Sequence, residues 1–354
     1  MNGVILTCNA GSSNTKLAAF DARTLARTRQ ATTFDTATTL AWLHGADNQE
    51  VVAIGHRVVH GGLDFTQPVI ITPGVQEKLR SYIPLAPLHQ PAALACIEAA
   101  QERYPAVPHI ACFDTAFHHT MREDERRFAL PRALHDQGIL RYGFHGLSYQ
   151  HVADVLPGVM GDAARGRIVV AHLGGGASAC ALHDLKSVAS TMGFSTLDGL
   201  MMGTRCGAID PGVLLYLLGE GRMSLPELTR ILYHESGLRG VSGISGDMRA
   251  LLADSSPAAQ EAVALYGAMA AKAIAALLPA LGGIDGLVFT GGIGEHAATV
   301  RERITQLLRW AGDFPVHVIP ADEEMVLARA CKNHLTTPKE RPHHEQRCNN
   351  LSTG

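Results

Sequence analysis

The sequence predicts an α/β fold with mixed sheets, built as two related halves. Two strand–turn–strand units and one helix-to-strand passage carry that reading. The first unit runs Val4-Ile5-Leu6-Thr7-Cys8, then the polar turn Asn9-Ala10-Gly11-Ser12-Ser13-Asn14-Thr15-Lys16, then Leu17-Ala18-Ala19-Phe20. The second, about half a chain later, runs Ile168 to Leu173, through Gly174-Gly175-Gly176-Ala177-Ser178, into Ala179 to Leu182. Apolar runs flanking a turn of small, hydroxyl-bearing residues read as paired strands, and their recurrence hints at duplication. The third observation is a long helix, Pro257–Leu281, leading into the apolar strand Gly286–Thr290, which ends in Gly291-Gly292-Ile293-Gly294-Glu295. Strands separated by such helices give α/β layers.

The elements between follow in order. Pro91 to Arg103 has proline near a first helical position and apolar residues at helical spacing. Ser224-Leu225-Pro226-Glu227 reads as a capped helix start, with Glu at the third helical position. The stretch 262–283 is apolar enough to raise a membrane span, but Glu261, Lys272 and Pro279 argue for a buried helix. From about Lys332 the chain is rich in Lys, His, Pro, Asn and Thr without periodicity, which predicts a poorly ordered, functionally silent tail over 332–354.

With 354 residues the chain exceeds one ordinary core and suggests two domains. At 46% hydrophobic and 18% charged residues it is not a disordered chain. A formal net charge of −3, with no basic block before the last twenty or so residues, gives no reason to expect a nucleic-acid or membrane partner. Seven scattered cysteines without a Cys-x-x-Cys pair read as free thiols of a reducing compartment. The N-terminus lacks the basic-then-apolar pattern of a signal peptide, so a cytoplasmic location is expected.

Three glycine-rich turns follow strands, at Asn9–Lys16, Gly174–Ser178 and Gly291–Gly294. Such turns bring backbone N–H groups close to phosphate oxygens, because glycine presents no Cβ. None is a P-loop or a dinucleotide fingerprint. Each alone has an ordinary structural reading; three at strand ends point to phosphate. A second constellation is Gly55-His56-Arg57-Val58-Val59-His60-Gly61-Gly62. It joins Ala86-Pro87-Leu88-His89, Cys112-Phe113-Asp114-Thr115-Ala116-Phe117-His118, Arg141-Tyr142-Gly143-Phe144-His145-Gly146 and Met202-Gly203-Thr204-Arg205. Two arginines, His and Asp among small apolar residues suggest a pocket for a small anion, since the guanidinium fork matches carboxylate and phosphate. No His-x-x-x-His pair stands near a carboxylate, so zinc is not expected.

The Gly55–Gly62, Phe113–His118 and Tyr142–Gly146 segments closely resemble the acetate kinase family. So do Asn9–Ser13, His172–Gly174, Gly199–Arg205 and Phe289–Glu295, collinear from about residue 4 to about residue 331. The resemblance implies two duplicated ribonuclease H-like (actin-like ATPase) domains with an interdomain cleft: 1–150 for the acyl substrate, completed by a helix at about 322–331, and 151–321 for the nucleotide. It implies Mg²⁺-dependent, reversible transfer of the ATP γ-phosphoryl group to acetate, and a homodimer for which the apolar 257–283 helix could serve as an interface.

Residue by residue, the resemblance implies that Arg57 and Arg205 hold the carboxylate and the transferring oxygens, and that His145 and Arg205 stabilise the transition state. Asp114, counted among the catalytic residues, and Glu323 match positions tied to Mg²⁺ and phosphate organisation, and Asn9, in the first phosphate loop, belongs with the metal. Val59, Leu88, Phe144 and Thr196 surround the methyl group, with His89 on the acyl-phosphate side. Ser12, Lys16, His172, Gly174, Gly175, Gly176, Asp247, Met248, Arg249, Gly291, Gly292, Ile293 and Gly294 surround ATP. Four positions depart from the pattern. Gly175 stands for an Asn, Asn14 for a Ser, Ala208 for an acidic residue and Thr196 for a Pro, and the stretch before Gly55 is short. Two other readings stay open: a propionate or other short-acyl kinase, and a nucleotide-binding regulator of the same fold with little or no kinase activity.

Overall fold

The computed structural model describes residues 3–11, 14–45 and 50–336. Two mixed sheets organise the chain. The first contains β1 (Val4–Ala10), β2 (Thr15–Asp21), β3 (Arg27–Thr33), β4 (Val51–Val58), β5 (Val69–Ile70) and β6 (His109–Phe113), in the order β3-β2-β1-β4-β6-β5. The second contains β7 (Ile168–Leu173), β8 (Ala177–His183), β9 (Lys186–Ser190), β10 (Gly286–Thr290) and β11 (Val316–Val318), in the order β11-β10-β7-β8-β9. In each, an antiparallel meander of three strands is extended on the side of its first strand by parallel strands: β4 and β6 beside β1, β10 and β11 beside β7. The duplication hinted at by the two sequence units is therefore a duplication of topology.

Both strand–turn–strand units form at the expected positions. The Pro257–Leu281 helix and the Ser224 capping box form too, the latter with Ser224 and Glu227 bonding each other's backbone N–H. That long helix buries one face (Ala262, Tyr266, Ala270, Ile274, Leu277) in a core shared with Ala177, Ala179 and Ala181 of β8. Its other face, including Leu265 at 39% exposure, stays open. The Gly291–Gly294 segment is not a free turn but the start of a short helix, Gly291–His296.

The Glu323–Thr336 helix follows β11 yet packs on the first sheet, its Leu327, Ala328 and Cys331 against Ile5, Ala53 and Cys112. Gly55 on β4 permits this approach, since a Cβ there would lie 2.9 Å from Cys331 Sγ and 3.1 Å from the Leu327 carbonyl oxygen. The helix continues to Thr336, so residues 332–336 are not the irregular tail that composition predicts; Lys332 Nζ donates to the Arg23 carbonyl. Here helix propagation along a packed apolar stripe overrides a polar composition. The rest of that tail, 337–354, lies outside the described residues.

Candidate active site

Because β1, β4 and β6 are parallel, their C-terminal ends lie together, and β7 and β10 do the same in the second sheet. Carboxyl ends of parallel strands are where open α/β sheets gather ligands. Asn9 and Arg57 stand near the ends of β1 and β4, and Asp114 directly follows β6. The pleat turns all three toward the Glu323–Thr336 helix.

There they form one bonded group. Arg57 Nη2 donates to Asp114 Oδ2 at 2.6 Å, and its Nε lies 3.2 Å from both Asp114 oxygens. Its Nη1 reaches Asn9 Oδ1 at 3.3 Å, while Asn9 Nδ2 donates to Glu323 Oε2 at 2.8 Å and Glu324 Oε1 at 2.7 Å. Burial raises the Asp114 carboxyl above its ordinary value, and the nearby Glu323 charge adds to this while Arg57 opposes it. Burial works against Glu323 too, but Arg57, His172, Asn9 and Lys16 together hold its carboxyl below the ordinary value. A buried pair such as Arg57–Asp114 is weak evidence of stability; removing one partner strands the other charge, at a cost of about 3–5 kcal/mol.

The Gly146–Met160 helix starts against Asp114. A Cβ at Gly146 would meet the Asp114 carbonyl oxygen at 2.0 Å, so only glycine fits there. His145, just before the helix, takes a left-handed φ of 56°, which costs a non-glycine residue about 1–3 kcal/mol and aims its ring. Its Nδ1 lies 2.8 Å from Ser178 Oγ, which also bonds the Tyr149 hydroxyl. Burial holds the Tyr149 phenol protonated, and it has no other acceptor among the described hydrogen bonds. Tyr149 therefore donates to Ser178, Ser178 donates to Nδ1, and the His145 proton sits on Nε2. Burial, then His172, Arg57, Arg205 and His89, push the His145 imidazole far below its ordinary value, so the ring is neutral near pH 7.

His172, near the end of β7, stacks on His145 with centroids 4.4 Å apart, and its Nδ1 lies 2.8 Å from Ser148 Oγ. Arg205 donates through Nη1 to the Thr196 carbonyl at 3.1 Å, and burial lowers its pKa from the ordinary value. His89 caps the Gln90–Arg103 helix, and burial with Arg205 and Arg57 depresses it to about 3. Val59 and Phe144 are buried in one core cluster with Tyr142, and Leu88 and Thr196 are half-buried. Lys16 is exposed, yet its charge bears on His172 and Glu323.

The glycine turns meet as well. Gly174 N–H bonds the Gly176 carbonyl, and Gly203 N–H bonds the Gly175 carbonyl at 3.2 Å. A Cβ on Gly291 would lie 3.2 Å from His172 Nε2, and one on Gly203 would lie 2.9 Å from the Gly246 carbonyl oxygen. Gly292 is open, Ile293 is half-buried and Gly294 is buried. The Asp247–Arg249 segment adjoins these turns less directly: Asp247 caps its helix, Met248 is buried in the core and the Arg249 side chain is 92% exposed. Ser12 lies outside the described residues. Sequence spacing does not single out Ser148 or Tyr149, and it shows Ser178 only as the hydroxyl of a glycine turn and Glu324 only as the neighbour of Glu323. Their roles depend on which strand lies beside which helix, and no local pattern announces that. A hollow of about 680 Å³ between Phe113, Phe117, Leu147 and Leu185 is lined by none of the arginines above.

The sequence profile of the Acetokinase family matches residues 4–334. An acetate kinase of Rhodopseudomonas palustris (strain ATCC BAA-98 / CGA009) is 48% identical over 388 aligned residues, covering 93% of this chain and 98% of that protein. Those 388 positions exceed the 354 residues present here, so that relative carries segments this chain lacks. A propionate kinase from Francisella tularensis subsp. tularensis SCHU S4 superposes with a TM-score of 0.87 at 33% identity, covering 94% of this chain and 100% of that one. The acetate kinase of Porphyromonas gingivalis superposes with a TM-score of 0.83 at 30% identity, over 94% and 100% of the two chains.

Proposed function

The chain belongs to the acetokinase family, and on that premise we propose how its residues transfer the γ-phosphoryl group of ATP reversibly to acetate, giving acetyl phosphate and ADP. The observation that carries the reading is that His145 and Arg205 meet at the Gly174–Gly176 turn, where a Cβ on Gly176 would lie 3.1 Å from His145 Nε2 and 3.9 Å from Arg205 Nη1, with Arg57 bearing on the same His145.

Phosphoryl transfer needs little covalent help; placing the reactants and balancing charge supply most of the rate. Acetate arrives ionised, so no general base is required. Arg57 and Arg205 hold its carboxylate and the equatorial oxygens of the group in flight. The neutral His145 donates from Nε2 to one of those oxygens, in a buried setting where a fixed donor counts for more than in water. Val59, Phe144, Leu88 and Thr196 close around the methyl group. Lys16, His172, the turns at Gly174–Gly176 and Gly291–Gly294, and the Asp247–Arg249 segment face the nucleotide.

The donor set fits Mg²⁺. Asp114, Glu323 and Glu324 supply hard carboxylate oxygens and Asn9 a carbonyl, gathered in one bonded group. When bound, the ion neutralises charge on the phosphate oxygens. A hydroxamate assay with ATP, Mg²⁺ and acetate, propionate or butyrate tests the reading. Acetyl hydroxamate should form fastest; ATP binding without acyl phosphate from any acid would leave only the regulator reading. A cytoplasmic location agrees with the free cysteines.

We also propose a homodimer. Leu215 and Tyr216 on the Pro211–Leu218 helix are 73% and 65% exposed, and Leu225 nearby is 66% exposed. A second copy would cover that apolar face. Light scattering that gives a monomer mass at micromolar concentration would refute it.

A further inference from the structure

The strands that present Asn9 and Arg57 carry different chemistry on their other faces. Cys8 and His56 are register partners on the parallel pair β1 and β4. With Cys96 of the Gln90–Arg103 helix they bring two thiol sulfurs and a ring nitrogen within 4.8 Å of one another. All three are buried, at 1%, 1% and 8% exposure for Cys8, His56 and Cys96.

A hydrogen-bond chain fixes the imidazole. His109 Nε2 lies 3.1 Å from the Tyr104 carbonyl oxygen, which can only accept, so the His109 proton is on Nε2 and its Nδ1 is bare. His56 Nε2 lies 3.0 Å from that Nδ1 and must donate to it. The bare nitrogen of His56 is then Nδ1, which is buried and has no hydrogen-bond partner. Burial keeps this ring neutral, with its lone pair available. A ligating histidine backed through its other nitrogen is the usual second-layer arrangement at metal sites.

We propose that Cys8, Cys96 and His56 form a three-coordinate site for copper(I). Ligand atoms around an ion with bonds of about 2.0–2.3 Å stand about 4 Å apart, so only a small contraction is needed. Two sulfurs and an imidazole are soft ligands, unsuited to Mg²⁺. Zn²⁺ takes four ligands. Among the described residues no fourth His, Cys, Asp or Glu joins the group, and its surroundings are Leu6, Leu17, Leu43 and Ala100. Both cysteines bind as thiolates, so two thiol protons leave to solvent on uptake and the filled site carries one negative charge. The site is distinct from the Mg²⁺ donors, which lie on the opposite face of the same sheet.

The test is an anaerobic titration of the reduced full-length chain against the copper(I)–bicinchoninate complex. The wild type should withdraw one equivalent, and its X-ray absorption should show a shell of two sulfurs and one nitrogen. Cys96→Ala should withdraw none under the same conditions while still forming acetyl phosphate. His109→Leu should bind about tenfold more weakly. No copper withdrawn by the wild type, withdrawal by Cys96→Ala equal to wild type, or a shell without that sulfur and nitrogen set would each overturn the proposal. So would a Cys8–Cys96 disulfide formed in air by a chain that, reduced, takes up no copper.

Discussion

Tyr149 sets the proton of His145 from two bonds away. Both side chains meet on Ser178 Oγ, which lies 2.8 Å from His145 Nδ1, and Tyr149 and Ser178 are fully buried. Tyr149→Phe removes the first donor, leaving Ser178 free to turn and His145 free to adopt either tautomer. Since about 1.4 kcal/mol is a factor of ten in rate, kcat should fall about tenfold, with KM for ATP and acetate within about twofold. Ser178→Ala should do at least as much. An unchanged kcat in both variants would show that this chain does not orient the ring.

Gly175 offers a gain of function. A Cβ built there meets nothing within 4 Å, and its φ is not left-handed, so Asn fits without backbone strain. Its amide would reach the space beside the glycine turns. One added hydrogen bond of about 1 kcal/mol predicts a KM for ATP about fivefold lower in Gly175→Asn, with kcat little changed. A KM equal to or above wild type would place the nucleotide phosphates elsewhere.

Val59 governs acyl length. One methylene is worth about 1–3 kcal/mol in an apolar pocket, so propionate should show kcat/KM about 10–200-fold below acetate. Val59, buried beside Phe144, is the side chain whose shortening makes room. In Val59→Ala the acetate preference should narrow by about tenfold; an unchanged ratio would remove Val59 from the pocket.

Buried histidines predict an acid-sensitive fold. Burial depresses His60 and His118 to about 4, and His89, with Arg205 and Arg57 adding, to about 3, from an ordinary 6.5. Between those values the unfolded chain binds protons that the folded chain does not, so stability falls as pH falls below about 6.5. Each such histidine contributes a slope of up to about 1.4 kcal/mol per pH unit, which ends near its folded value. Asp114, raised by burial, acts in the opposite sense but is a single group. Urea midpoints at pH 7.5, 6 and 5 read the effect directly. A midpoint that stays level over that range would mean these rings are charged or solvated in the fold.

Much of this site is legible in the order of residues alone. Arg57, Asp114, His145 and Arg205 stand in short segments whose mix of Arg, His and Gly has no ordinary core or surface use. The two strand–turn–strand units announce the repeated meander, because strand alternation and turn residues are local signals. What stays illegible depends on tertiary neighbours. Ser148 and Ser178 are unremarkable serines until a helix brings His145 and His172 against a strand of the second sheet. Cys8 and Cys96 are 88 positions apart and join His56 only because β1, β4 and a helix pack together. The helical state of 332–336 is hidden for a similar reason, since packing on the first sheet decides it rather than composition.

The most direct test of the carboxylate-binding role is the kcat/KM for acetate of Arg57→Ala beside that of the wild type, with circular dichroism confirming the fold. Losing a preorganised donor to developing negative charge costs about 100-fold or more, and Arg57 also organises Asp114 and Asn9. A folded Arg57→Ala enzyme should therefore lose at least about 100-fold in kcat/KM. A folded variant within about threefold of wild type would contradict the assignment of acetate and phosphoryl oxygens to this end of the sheets.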